Sequence, residues 1–284
     1  MSQFLRKNHF TKCGSEFDFV ACFDENGSSS ELVTIQKQLA NNEYVDTPRR
    51  FFTLTCCLFS KEEYEVARKI IKDLKDKYWD TKNELVVFHT YEIINRNGVY
   101  AQLGIEQHSN LLNDIGIALN SINFRIVSVT FDLYSYALQN YSYDPYEVAF
   151  DIILNAIHKN TPQNARIALM FESRGKKEDT QLASHVDNVI NLKGTKLSKK
   201  ADLKSKFKGL FFNFKYSKDK TEVYHGLEIT DLSSSPIHRF VKSQKKGRDF
   251  EIIVKKIVGY TEKKYNENPL SIPCMRHFPK DWEK

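Results

Sequence analysis

Long apolar runs are missing from this 284-residue chain. No stretch approaches the roughly 18 consecutive apolar residues of a membrane-crossing helix. The opening residues, MSQFLRKNHF, lack the apolar core of a secretory signal. Cysteine is scarce and unpatterned: Cys13, Cys22, Cys56, Cys57 and Cys274 contain no Cys-x-x-Cys pair and are odd in number. That excludes a closed disulfide set and fits reduced, buried thiols in a cytoplasmic protein. No internal repeat is visible. Disorder is excluded from the other side, since 41% hydrophobic and 13% aromatic residues suffice for a sizeable core.

Charge is present in excess of one sign. The formal net charge is +6 and the pI near 8.8. Residues 193–220 hold ten lysines against two aspartates, Lys196, Lys199 and Lys200 among them. A second basic stretch, Lys242-Ser-Gln-Lys-Lys-Gly-Arg248, is followed by Lys255-Lys256 and Lys263-Lys264. Such clustering suits a phosphate-contacting surface and, equally, a solvated loop that keeps the chain soluble.

The apolar pattern centres on residues 17–30, FDFVACFDENGSSS. A run apolar on both faces and closed by turn residues predicts a central strand of an α/β sheet. Residues 28–50 read as a polar insertion with a short helix near 32–39. The run 50–59 predicts an antiparallel neighbour of the first strand. Ser60 and Glu63 form a capping box for an amphipathic helix over 61–78. Strands are then predicted at 85–89, 124–131, 165–171 and 210–214. Helices are predicted at 107–122, from Asp144-Pro145 onward, at 177–190, at 226–234 and at 249–264. Ser235-Pro236 reads as a start or kink of the segment after 234. Alternating strands and helices after an adjacent strand pair imply one α/β domain with a mixed sheet.

Acidic residues fall at the ends of these elements. Asp24 and Glu172 lie at strand termini, Asp179 early in a helix and Asp231 within a late helix. Open α/β sheets bind ligands at the carboxyl ends of their strands. Carboxylates from different elements can hold one or two hard divalent ions there. Each acid also has a plainer role: Asp24 and Glu25 open a turn before Asn26-Gly27, Asp179 suits a helix N-terminus, and Asp231 suits a solvated helix face. His89 more often closes a strand than ligates a metal. Asp24 and Glu25 can share one site only if their strand has ended, because neighbouring strand residues face opposite sides.

Six segments, in order, carry a resemblance. They are Phe23-Asp24-Glu25-Asn26-Gly27, Leu85-Val-Val-Phe-His89, Phe131-Asp132, Asp144-Pro-Tyr-Glu-Val-Ala149, Phe171-Glu172-Ser-Arg-Gly-Lys-Lys-Glu-Asp179 and Gly226-Leu-Glu-Ile-Thr-Asp231-Leu. Together they resemble, over about residues 17–258, a domain-of-unknown-function family of bacteria and phages marked by an Asp-Glu-Ser-Gly box. The resemblance implies an RNase-H-like fold and a metal-dependent nuclease. It assigns Asp24, Glu172 and Asp231 as ligands of Mg²⁺ or Mn²⁺, with Glu25 and Asp179 as auxiliaries. Arg174, Lys176, Lys177 and the lysines at 196, 199 and 200 would contact nucleic acid. Asn26 stands where the family has Ser, and Thr230 where it has Ala. The expected activity is phosphodiester hydrolysis of DNA or RNA. The competing expectation is a non-catalytic nucleic-acid-binding or scaffold subunit of a defence or mobile-element complex. No membrane partner is expected.

Overall fold

The computed structural model describes residues 6–7, 16–43, 50–139, 143–191, 203–217, 220, 223–246 and 275–278. Their strands are β1 (Arg6–Lys7), β2 (Phe19–Asn26), β3 (Phe51–Ser60), β4 (Arg125–Asp132), β5 (Ile167–Glu172), β6 (Phe207–Asn213) and β7 (Met275–Phe278), all in one sheet of order β1-β6-β5-β2-β3-β4-β7. β2, β3 and β4 are successively antiparallel, while β5 runs parallel to β2 and β6 parallel to β5. This is the mixed α/β sheet that the order of elements predicts, and it agrees with the RNase-H-like fold that the resemblance implies.

The helices are α1 (Glu31–Ala40), α2 (Lys61–Asp76), α3 (Thr90–Asn95), α4 (Ile105–Ser121), α5 (Leu133–Leu138), α6 (Pro145–Lys159), α7 (Lys176–Ile190), α8 (Leu203–Lys206) and α9 (His225–Lys246). They cover both faces, as they must for strands apolar on both sides. Val20 and Cys22 of β2 pack with Tyr64 of α2, Leu111 of α4 and Leu227 of α9. Ala21 and Phe23 turn the other way, to Phe150 of α6 and Val186 of α7. Cys22, Cys56 and Cys57 are free and buried. Among the described residues no helix is long and apolar enough to cross a membrane.

Local chemistry sets the boundaries. Ser60 Oγ accepts from the Glu63 amide at 3.2 Å and Glu63 Oε2 accepts from the Ser60 amide at 3.0 Å, completing the capping box. Asp144 caps α6 through the Tyr146 amide at 2.8 Å, with Pro145 at the first helical position. Gly27 turns the chain out of β2 with φ of +80°, and a Cβ there would lie 2.1 Å from the Phe51 carbonyl oxygen. A glycine there lets the chain leave β2 close against the first residue of β3.

Three expectations need correction or fall elsewhere. The segment 85–89 is extended but joins no strand. Its polar backbone is bound by side chains instead: the Phe88 amide donates to Glu228 at 2.5 Å, the Val86 carbonyl accepts from Lys75 at 2.8 Å, and the Val87 carbonyl accepts from the Tyr100 hydroxyl at 2.7 Å. The segment around Ser235-Pro236 is one helix with the preceding turn, and α9 runs through Pro236. Its first half is already seated on the sheet, so the loss of one backbone bond at Pro236 does not end it. The helix predicted at 249–264 lies outside the described residues, as do Cys13 and Cys274.

Candidate active site

Side-chain alternation on three strands aims polar groups at α9. On β2 the face of Val20 and Cys22 continues to Asp24, and Asn26 Nδ2 on that same face donates to Ser234 Oγ of α9 at 2.8 Å. On β5 the face of Ala168 and Met170 continues to Glu172. On β6 the face of Phe211 continues through Asn213 toward Lys215, just past the strand end. A short bridge between Tyr216 and Val223 then returns the chain to α9. Gly226 lets α9 come close: a Cβ at this position would lie 2.5 Å from Cys22 Sγ and 2.7 Å from Tyr64.

Lys215 is the hub of the resulting cluster. Its ammonium is buried, 2.5 Å from Asp231 Oδ2 and 3.6 Å from Glu172 Oε2. Asp231 also accepts from the Thr90 amide at 2.8 Å, and His89 Nε2 lies 3.6 Å from its Oδ2. Burial works against the charge on Asp231, but Lys215 and His89 outweigh it and hold the carboxyl below its ordinary range. Asp24 has no such relief. Burial, reinforced by the negative charges of Asp231 and Glu172, pushes its pKa up to about 8 despite Lys215 and Arg174. Burial also disfavours the Lys215 ammonium, yet Asp231, Glu172 and Asp24 raise its pKa and keep it charged.

Glu25 faces the opposite side of the sheet, because β2 runs on to Asn26. It is paired with Arg174, and its carboxyl is pushed up to about 8 by burial and then by Asp24 and Glu172. Glu25, Glu172, Arg174 and Asp179 line a cavity of about 210 Å³ beside the serine loop 28–30. Asp179 is committed to the backbone there, accepting from Ser173 Oγ at 2.7 Å and from the Arg174 amide at 2.9 Å. It braces the loop that carries Glu172 and Arg174.

Asp24, Glu172 and Asp231 thus face the same side of the sheet, with Lys215 between Glu172 and Asp231, while Glu25, Arg174 and Asp179 lie on the adjoining face. Lys176 and Lys177 are exposed on the first turn of α7. Lys196, Lys199 and Lys200 lie outside the described residues. Lys215 was hidden in the sequence as one of ten lysines. The available signal was period two: Phe211, Asn213 and Lys215 continue one strand face.

Carboxylates are hard oxygen donors, and an acidic group left with a pKa of about 8 marks a cluster short of positive charge. The donor chemistry therefore suits a divalent cation. As placed, however, no group of three His, Cys, Asp or Glu side chains among the described residues is disposed around one ion; Glu172 and Asp231 turn to Lys215 instead. Thr230 Oγ1 donates to the Gly226 carbonyl at 2.7 Å and reaches the Cys22 carbonyl at 3.4 Å, so its hydroxyl ties α9 to β2. No family model, curated protein or solved structure matches the chain.

Proposed function

We infer that this protein is a metal-dependent nuclease that hydrolyses phosphodiester bonds of DNA or RNA. The observation that carries this reading is the delivery of Asp24, Glu172 and Asp231 from β2, β5 and α9 to one face at the strand ends, with the Lys215 ammonium between Glu172 and Asp231. The RNase-H-like strand order and the positions of these acids also support membership of the Asp-Glu-Ser-Gly box family.

Asp24, Glu172 and Asp231 would hold Mg²⁺ or Mn²⁺, which when bound supplies an activated water and stabilises the leaving oxygen. The chain's own groups do the rest. Arg174, held against Glu25 on a loop braced by Asp179, offers a phosphate a bidentate donor. Lys215 stabilises negative charge beside Glu172 and Asp231. His89, partly exposed and next to Asp231, is placed to exchange a proton with substrate or water.

The test is hydrolysis of single- and double-stranded DNA and RNA with Mn²⁺, Mg²⁺ or EDTA. Cleavage is expected with metal and none with EDTA. Asp24→Asn should lower the rate by roughly two to three orders of magnitude, as loss of other charge-stabilising groups does, with binding retained. Equal cleavage by both proteins would overturn the reading. One observation favours a second reading, a non-catalytic nucleic-acid-binding or scaffold subunit: Lys215 already neutralises part of the acidic cluster from within. Under that reading Mn²⁺ leaves the melting temperature of the wild type unchanged, whereas a bound ion would raise it by mass action.

A further inference from the structure

A second site lies on the same side of the sheet. A cavity of about 820 Å³ is bounded by α2, the segment 81–86 and the chain entering α9. Its lining carries six cationic side chains, Arg68, Lys69, Lys72, Lys75, Lys82 and Lys220, against the carboxylates of Glu65 and Glu84. Helical spacing explains half of them, since Arg68, Lys72 and Lys75 stand at i, i+4 and i+7 of α2, on one face.

These cations are not equivalent. Lys75 is buried and structural, its ammonium donating to Glu228 at 2.6 Å and to the Val86 carbonyl at 2.8 Å, while Glu228 Oε2 lies 2.6 Å from His225 Nδ1. Arg68 is tied to Glu65 at 2.7 Å and Lys72 to Asp76 at 2.8 Å. Lys69, Lys82 and Lys220 are exposed, and among the described residues no carboxylate lies within ion-pair distance of them. The floor is thus neutralised and the rim is positive. The lining contains no Phe, Tyr or Trp, and its one imidazole, His225, is buried and held against Glu228, so it offers no exposed ring for stacking a base. What it can recognise is repeated negative charge.

The cavity also adjoins the acidic cluster. His225, in its wall, and Asp231 are six residues apart on α9, about 9 Å at ~1.5 Å per residue. The segment that supplies Leu85 and Val86 to the wall continues to His89 and Thr90 beside Asp231. A strand carries one phosphate per ~3.4 Å of duplex rise, so this interval spans only a few nucleotides.

We propose that this cavity is a sequence-independent phosphate cradle, in which Lys69, Lys82 and Lys220 hold the sugar–phosphate backbone of a nucleic-acid strand flanking the acidic cluster. The identity of the strand as substrate rests on the nuclease reading; the cradle itself rests on the cavity and its charges.

The test uses the full chain with Asp24→Asn, to prevent cleavage, and fluorescein-labelled mixed-sequence oligonucleotides, read by anisotropy between 50 and 200 mM salt. Combined Lys69→Glu, Lys82→Glu and Lys220→Glu should weaken binding at least tenfold for every sequence. It should also flatten the salt dependence by about 0.7 in log–log slope for each single-strand phosphate that the variant no longer neutralises. The same charge change at exposed Lys159, Lys204 and Lys208, on the far side of the sheet, should leave binding within twofold. Equal weakening by both sets, no weakening by the first, or no binding by the parent protein would overturn the cradle. So would tripolyphosphate binding that depends on the three lysines while oligonucleotide binding does not. Failure of the nuclease reading is separate: it is absence of metal-dependent cleavage by the wild type, whatever the lysine variants bind.

Discussion

Lys215 shows how much one side chain can decide. It is almost fully buried between Glu172 and Asp231, so Lys215→Gln leaves those acids facing one another without a counter-ion. Removing one partner of a buried pair costs about 3–5 kcal/mol. Urea unfolding in EDTA should show a loss of that order, and Mn²⁺ should restore part of it if the acids take up the ion; a loss below about 1 kcal/mol would mean that the pair contributes no more than an exposed one does. Two sets of carboxyls give the stability opposite dependences on pH. Glu228 is penalised by burial, but Lys75 and His225 more than compensate and hold its carboxyl at about 2. Its contribution is present above its ordinary value near 4.5 and is lost as pH falls toward 2. Asp24 and Glu25, raised to about 8, behave in the reverse sense. The unfolded chain releases their protons near pH 4 while the fold retains them, so stability falls as pH rises from about 4 to 8. In EDTA the melting temperature should therefore decline across that window, and less steeply for Asp24→Asn. A flat profile for the wild type would contradict the charge balance described.

At the scale of elements, α9 is the one whose placement matters most. It lies over β2 and β3, where Thr53 pairs with Thr130 at 3.0 Å and Thr55 with Ser128 at 2.9 Å, a hydroxyl-lined strip beneath Ser234 and His238. Gly226 sets the approach. In an exposed helix, Gly→Ala would stabilise by roughly 0.5–1 kcal/mol. Here the added methyl meets Cys22 and Tyr64, and overpacking costs about 1–3 kcal/mol. Gly226→Ala is accordingly expected to destabilise, with a lower denaturant midpoint; a gain would show that α9 can shift outward freely. The legibility of elements in the sequence follows the same physics. The strands at 17–23 and 50–59 and the helix capped by Ser60 were readable because their signals are local. The segment 85–89 was not, because its apolar pattern is that of a strand, while Lys75, Tyr100 and Glu228, distant in sequence, satisfy its backbone.

For the whole molecule, the mixed sheet was legible from the order of elements, and so was the placement of a trio of acids, Asp24 and Glu172 near strand ends and Asp231 in a late helix. The partners of that trio were not. Lys215 and the Arg174–Glu25 pair depend on which faces meet, and no spacing within one element encodes that. The sequence drew attention to 193–220, of which Lys220 lines the cavity, but most of the cations in that wall come from α2, where lysines spaced along a helix look like an ordinary solvated face. The distribution of the cluster over the chain has a further consequence. Asp24 enters near the start, Glu172 past the middle, and Lys215 and Asp231 later still. During synthesis β2, β3 and β4 can pair as soon as they emerge, and Lys215 follows with β6, but until α9 has left the ribosome tunnel Asp24 and Glu172 lack Asp231. The last of the described helices thus acts as a timer: the nascent chain acquires much of its sheet before the acidic cluster is complete, and a ribosome stalled before residue 231 displays a chain that lacks Asp231.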